Sequence, residues 1–293
     1  MNSELIDIRE AIEHKLDELL PKESLIAQKL VDAMRYATLT GGKRIRPMLL
    51  CASCTGFGGT LEQALVPACA IELIHTYSLI HDDLPSMDND DLRHGKPATH
   101  IAFGEPIAIL TGDALQALAF DLLAGPHTEI PGSARIESIR LLSQGAGWNG
   151  MVGGQLLDLQ SENQTLTLEQ LRRLHEAKTG ALITAAIQIG VAIAGTAEKK
   201  TIRTIDTFAR KIGLAFQIVD DILDESESTT VLGKPANSDT ELNKSTFPKL
   251  LGIQPSKKFA EQLVEEAVQL LAAENLKNSL LVDLAKICVQ RRY

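Results

Sequence analysis

Apolar residues recur at i, i+3, i+4 and i+7 along most of the chain, whereas alternating β-branched runs bounded by turns hardly occur. That rhythm predicts helices, and the abundance of Ala, Leu, Glu, Gln and Lys reinforces it. Two helix starts are marked. Thr60-Leu-Glu-Gln63 and Thr167-Leu-Glu-Gln170 each set a hydroxyl N-cap three residues before a glutamine able to bond back to it. Long helices are predicted from Leu61 to about Asp83, with a kink at Pro67, and from Leu168 to about Gly195. Breaks fall at 56–59, 93–106, 125–133 and 226–248, and no repeat or low-complexity linker separates the segments. Ile107–Leu123, Ala181–Gly195 and Ile212–Leu223 are apolar on more than one face, which predicts an interior position for all three. The expectation is one all-α domain over residues 1–293, with about ten helices, some central and enclosed by the others.

Composition narrows the function classes. Lys and Arg number 29 against 38 Asp and Glu, a net charge of −9, which argues against a nucleic-acid partner because that needs a basic footprint. Four cysteines are too few and too uneven for a disulfide framework, and Cys51-x-x-Cys54 lacks a second pair at zinc spacing. The start is amphipathic and charged without the apolar run of a signal peptide, so a cytoplasmic location is expected. Ala181–Gly195, the longest apolar stretch, is interrupted by Thr184 and Gln188 and falls short of the ~20 residues that span a bilayer. Stable membrane insertion is not expected.

Two acidic clusters stand out because each follows a strongly apolar helical segment. The first is His81-Asp82-Asp83-Leu-Pro85-Ser-Met-Asp88-Asn-Asp90-Asp91, the second Gln217-Ile-Val-Asp220-Asp221-Ile-Leu-Asp224. Asp220 and Asp224 fall on one helical stripe with Gln217, where two like charges repel unless a cation compensates them. Asp82 and Asp88 would diverge by about 120° on a continuous helix, so the break at Pro85 is expected to swing Asp88 back beside Asp82. An all-oxygen donor set suits Mg²⁺ rather than Zn²⁺, completed by water and phosphate oxygens. Two such clusters face to face would fit a diphosphate between them.

The basic complement is concentrated in short runs: Gly41-Gly42-Lys43-Arg44-Ile45-Arg46-Pro47, Arg93-His94-Gly95-Lys96, Lys178-Thr179-Gly180, and Lys234 with Lys244. Arg and Lys are the phosphate-binding side chains, the first as a fork and the second as a point charge. Lys178 is conspicuous because no other charge follows it before Gly195.

These runs, with Gly154-Gln155-Leu-Leu-Asp158 and Phe216-Gln217-Ile-Val-Asp220-Asp221-Ile-Leu-Asp224, resemble the short-chain trans-prenyltransferases over about residues 35–250, nearest to the bacterial farnesyl diphosphate synthases. The resemblance implies an all-α bundle around a deep apolar cavity, a homodimer, and about three Mg²⁺ per active site. It implies head-to-tail condensation of isopentenyl diphosphate with dimethylallyl and geranyl diphosphates. Asp82, Asp88 and Asp220 would hold metal, with Asp83, Asp221 and Asp224 beside them. Lys43, Arg46 and His75 match the isopentenyl diphosphate site, with His94 where the family usually has an arginine. Arg93, Lys178, Lys234 and Lys244 match groups holding the allylic diphosphate. Lys178, Thr179, Phe216 and Gln217 border the reacting carbons, and Gln155 and Asp158 resemble an inner-wall pair. His94 would bind diphosphate only when protonated, so weaker isopentenyl diphosphate binding at higher pH is expected.

Tyr77, five residues before Asp82 and about 7.5 Å along the axis, is expected to cap the cavity at a C15 product, beside the smaller Ser78. A geranylgeranyl diphosphate synthase is the nearest alternative, and a non-catalytic prenyltransferase-like regulatory subunit is a second. A terpene cyclase is disfavoured because residues 220–224 lack an Asn/Ser/Glu metal triad, and a di-iron bundle because the clusters lack Glu-x-x-His.

Overall fold

The computed structural model describes residues 3–126, 129–195, 198–226, 244–276 and 278–289. Among them, helices account for nearly all regular structure. In chain order they are α1 (Ser3–Leu19), α2 (Gln28–Leu39), α3 (Ile45–Gly56), α4 (Leu61–Asp82), α5 (Thr99–Phe103), α6 (Glu105–Ala124), α7 (Gly132–Ala146), α8 (Met151–Gln160) and α9 (Leu168–His175). A π-helical turn, Glu176–Gly180, then leads into α10 (Ala181–Ala194), followed by α11 (Lys199–Ser226), α12 (Phe247–Leu251), α13 (Ile253–Ala273) and α14 (Ser279–Val289). The strands are two residues each, Leu92–Arg93 (β1) and Lys96–Pro97 (β2), an antiparallel hairpin turning on His94 and Gly95.

Both predicted capping boxes are present, with the backbone N–H of Gln63 donating to Thr60 Oγ and that of Gln170 to Thr167 Oγ. The helices they open run to Asp82, through Pro67, and via the π turn to Ala194. Helix α10 is interior, with Leu182, Ile183, Ile187 and Ile189 essentially inaccessible, and α3, α7 and α11 pack around it. Gly190 lets α3 approach closely, since a Cβ there would lie 2.4 Å from the Leu50 carbonyl oxygen.

Helix α6 corrects one expectation. It packs on α4, yet Ile109 and Leu110 are exposed, and only 33% of its most apolar stretch is buried. Its apolar circumference therefore exceeds what this chain covers. A second correction concerns length: Leu61–Asp82, Glu105–Ala124 and Leu168–Ala194 are each long and apolar enough to cross a membrane by length and composition. Isolated Thr and Gln residues interrupt a run without lowering its mean hydropathy much. The first and third of these helices are largely buried inside the bundle, whereas α6 is not.

Candidate active site

The first acidic wall is made where α4 stops. Asp83 N–H still bonds the Leu79 carbonyl at 3.0 Å, and Asp88 N–H then reaches back to the Asp82 carbonyl at 2.9 Å. This turn around Pro85 folds Asp88 over the helix end, as expected, and Asn89 closes it in the left-handed region at φ 54°. The second wall needs only helical periodicity. Gln217, Asp220, Asp221 and Asp224 of α11 all border the cavity that Asp82, Asp83 and Asp88 border from the other side. Its volume is about 710 Å³.

Two lysines stand between the walls. Lys178 Nζ lies 2.7 Å from Asp158 Oδ2 and 3.8 Å from Asp82 Oδ2. Lys244 Nζ lies 3.0 Å from Asp88 Oδ1 and 3.1 Å from Asp158 Oδ2. Burial opposes both charge states, but the pairing wins: Asp158 is pulled down to about 2 by the two ammonium groups, and Lys178 is held above its ordinary value by Asp82 and Asp158. The π turn presents Lys178 and Thr179 together on the cavity wall. Gly154 of α8 makes room for that turn, because a Cβ there would lie 2.1 Å from the Lys178 backbone nitrogen.

The basic loop forms the adjoining wall. Gly41 and Gly42 take φ of 125° and 118°, conformations open to glycine, and the loop they shape puts Lys43 and Arg46 on the cavity. Arg46 Nη1 donates to His75 Nε2 at 3.1 Å, so that nitrogen is an acceptor and the ring neutral; the guanidinium also lies 5.6 Å from the Phe216 ring centroid. Burial, and then Arg46, hold His75 well below its usual pKa. His94 borders the same wall and is pushed down to about 4 by burial and by Arg93, Arg44 and Lys43. In the free protein it is therefore neutral throughout the range in which protonation was expected to matter.

Other expected residues are placed differently. Asp83 is held by Arg93, whose Nε donates to Oδ1 at 3.0 Å and to Oδ2 at 3.2 Å. Burial raises Asp83 to about 6 against the pull of the guanidinium, which still leaves an ion pair at neutral pH. Asp83 and Arg93 thus border the cavity as an ion pair, the guanidinium braced by the carboxylate. Asp221 is likewise engaged, accepting from Gln217, His175 and the Phe247 backbone. Tyr77 and Ser78 lie outside the cavity lining, where Thr76, Leu79 and Ile80 represent that stretch of α4. The Tyr77 ring is buried and lies edge-on to His81, with centroids 5.8 Å apart. Gln155 is also off the lining while Asp158 is on it, and Lys234 lies outside the described residues. The sequence reading missed His175 and Asp90, which both border the cavity. His175 precedes Lys178 by one helical turn, a spacing that would have flagged it.

The residues fit a hard divalent cation. Asp82 Oδ1 is buried without a hydrogen-bond donor, and the surrounding donors are carboxylate oxygens. Among the described residues no three such groups converge into a ready-made cage. A cation held here takes its remaining ligands from water and phosphate oxygens, the habit of Mg²⁺.

A helical bundle with carboxylates on two walls, lysines shared between them and a basic loop alongside defines a protein that handles multiply charged anions at the mouth of a partly apolar cavity. The chain belongs to the polyprenyl synthetase family, whose model matches residues 27–281. It is 46% identical over 266 residues to farnesyl diphosphate synthase of Escherichia coli, covering 89% of each chain. It is 44% identical over 288 residues to a geranylgeranyl diphosphate synthase of Cyanophora paradoxa, covering 98% of this chain and 95% of the relative. A geranyltransferase of Helicobacter pylori, solved in complex with magnesium and isoprenyl diphosphate, superposes with a TM-score of 0.88 at 34% identity over 98% of this chain and 95% of its own.

Proposed function

We propose that this chain, a trans-prenyltransferase by family, joins isopentenyl diphosphate head-to-tail to dimethylallyl and then geranyl diphosphate, releasing farnesyl diphosphate. It acts in the cytoplasm with about three Mg²⁺ per site, held by Asp82, Asp88 and Asp220 with Asp224 beside them. The observation that carries this reading is the pair Lys178 and Lys244, each shared between Asp158 and a carboxylate of the first wall.

The chemistry follows from where charge develops. The allylic C–O bond breaks and its electron pair leaves with the diphosphate; Lys178 and Lys244, already oriented by Asp158, meet that charge. When bound, Mg²⁺ adds Lewis-acid stabilisation of the same leaving oxygens. Lys43 and Arg46 hold the second diphosphate so that the isopentenyl double bond faces the allylic carbon. Thr179 Oγ donates to Gln217 Oε1 at 2.7 Å, and these oxygens, with the face of Phe216, line the wall beside the reacting carbons. The double bond forms the new C–C bond, and a proton then passes to the departing diphosphate. The apolar side, with Leu79, Ile80, Leu174 and Phe216, excludes water that would quench the cation.

The C15 stop is assigned to Tyr77 indirectly. Its ring is buried next to Gln116 of α6, on the stretch of α4 whose Thr76, Leu79 and Ile80 line the cavity. A C20 product is the second reading, favoured by the geranylgeranyl synthase names among similar chains. The homodimer is read from the uncovered side of α6. Ile109 and Leu110, with Ile101 of α5 and Val152, Leu156 and Leu157 of α8, are exposed apolar side chains that a second copy would cover. Incubation with radiolabelled isopentenyl diphosphate and each allylic diphosphate, with Mg²⁺ or with chelator, tests the proposal. The expected result is a Mg²⁺-dependent C15 product, and absence of condensation would overturn it.

A further inference from the structure

Asp221 sits on the second acidic wall, yet protein donors occupy both of its oxygens. Oδ1 accepts from Gln217 Nε2 at 3.0 Å, and Oδ2 accepts from His175 Nε2 and from the backbone N–H of Phe247, each at 3.0 Å. The residue is buried, with 2% of its surface exposed. One carboxylate thus ties together the end of α9, the middle of α11 and the first residue of α12. Phe247 completes the joint: its ring stacks on His175 with centroids 5.6 Å apart and lies 6.0 Å from Phe259 of α13.

Each end of this joint leads to the chemistry. A carboxylate can only accept, so the Gln217 contact must be made by Nε2, which turns Oε1 toward the Thr179 hydroxyl at 2.7 Å. Released from Asp221, the amide is free to flip and present its positive NH₂ edge where Oε1 stood. At the other end, the stretch entering α12 carries Lys244, three residues before Phe247, and Lys249 Nζ donates to the Lys244 carbonyl at 2.9 Å. The hydrogen bond at Phe247 therefore anchors the segment that places Lys244 between Asp88 and Asp158.

We infer that Asp221 is a positioning residue rather than a metal ligand: it fixes the Gln217 amide and pins the 244–251 segment through His175 and Phe247. What Gln217 and Lys244 then do rests on the function proposed above; the anchoring does not.

The test compares Asp221→Asn with Asp220→Asn in the full chain. The asparagine keeps the shape but faces three donors with a donor of its own. Hydrogen exchange at the Phe247 amide, measured without metal, is expected to quicken at least tenfold in Asp221→Asn and to keep the wild-type rate in Asp220→Asn. With Mg²⁺ and both diphosphates, Asp221→Asn is expected to lose tenfold or more in kcat with its Mg²⁺ half-saturation within twofold of wild type, whereas Asp220→Asn shifts half-saturation upward at least tenfold. Unchanged Phe247 exchange, or a Mg²⁺ requirement raised as far as in Asp220→Asn, overturns the inference. If Asp221→Asn does not fold, His175→Phe removes one of the three donors and keeps a ring against Phe247; it is expected to lower kcat several-fold at an unshifted Mg²⁺ half-saturation, and a shifted one overturns the inference. A wild-type chain without condensation activity would sink the proposed function, and the exchange measurement would still decide Asp221.

Discussion

Two buried ionic networks border the same cavity and differ in how completely they close. Around Arg44, the guanidinium donates to Glu13 (2.8 and 3.2 Å), to Glu72 (2.5 Å) and to the Thr38 carbonyl (2.6 Å), joining α1, α2, the loop before α3, and α4. Around Asp158, two ammonium groups are divided among three carboxylates at 2.7 to 3.8 Å. A planar fork with four of its five N–H groups on fixed acceptors has little left to offer a ligand and acts as a brace. Lysines are point charges on flexible stems, and when shared they can exchange one oxygen partner for another at little cost. In the sequence both are simply basic residues in short runs. The degree of saturation separates scaffold from site.

The contrast can be broken from the site side first. Lys178→Ala is expected to cut turnover about a thousandfold, roughly 4 kcal/mol of transition-state stabilisation, with less stability lost than on removing Arg44 because Lys244 still compensates Asp158; steady-state kinetics beside a melting curve checks both. From the brace side, Arg44→Met leaves Glu13 and Glu72 facing a neutral group, and about 3 kcal/mol of stability should be lost in denaturant titration. Turnover per folded molecule should fall far less than in Lys178→Ala. Equal activity losses in the two variants would erase the distinction.

A titration sharpens it further. His94, beside the Arg44 guanidinium, has its pKa depressed from 6.5 to about 4, so the folded chain binds fewer protons there than the unfolded chain. Its contribution is intact above pH 6.5 and is lost as pH falls through 4, with a slope approaching ~1.4 kcal/mol per pH unit between those limits. His94→Gln should flatten the stability profile in that window and leave it unchanged above pH 7. The smallest effect concerns ligand binding. His94→Arg restores a permanent cation and should lower the KM for isopentenyl diphosphate a few-fold at pH 8, and an unchanged KM would remove His94 from that site. Product length has its own test: Tyr77→Ala, followed by chromatography, is expected to extend the product beyond C15.

Much of this was legible before any coordinates. Both capping boxes, the helix end at Asp82, the return of Asp88 around Pro85 and the Gln217–Asp220–Asp224 stripe follow from short-range rules that depend on neighbours within a turn or two. Asp83 and Asp221 were read as lying beside the metal and Arg93 as holding diphosphate, because their position in the motifs is all that a sequence displays. Their partners come from other elements, Asp221 reaching a backbone amide 26 residues away and a histidine 46 residues away.

The sequence by itself therefore determined which segments are helical, where they start, and that acidic and basic groups lie on particular faces, because backbone periodicity and capping are local. Tertiary packing alone decided that Arg44 is spent on Glu13 and Glu72 while Arg46 fronts the cavity, that Lys244 crosses to Asp88, and that α6 keeps an uncovered apolar side. Burial fixes which charges are satisfied, and burial depends on contacts between residues that the chain order holds far apart.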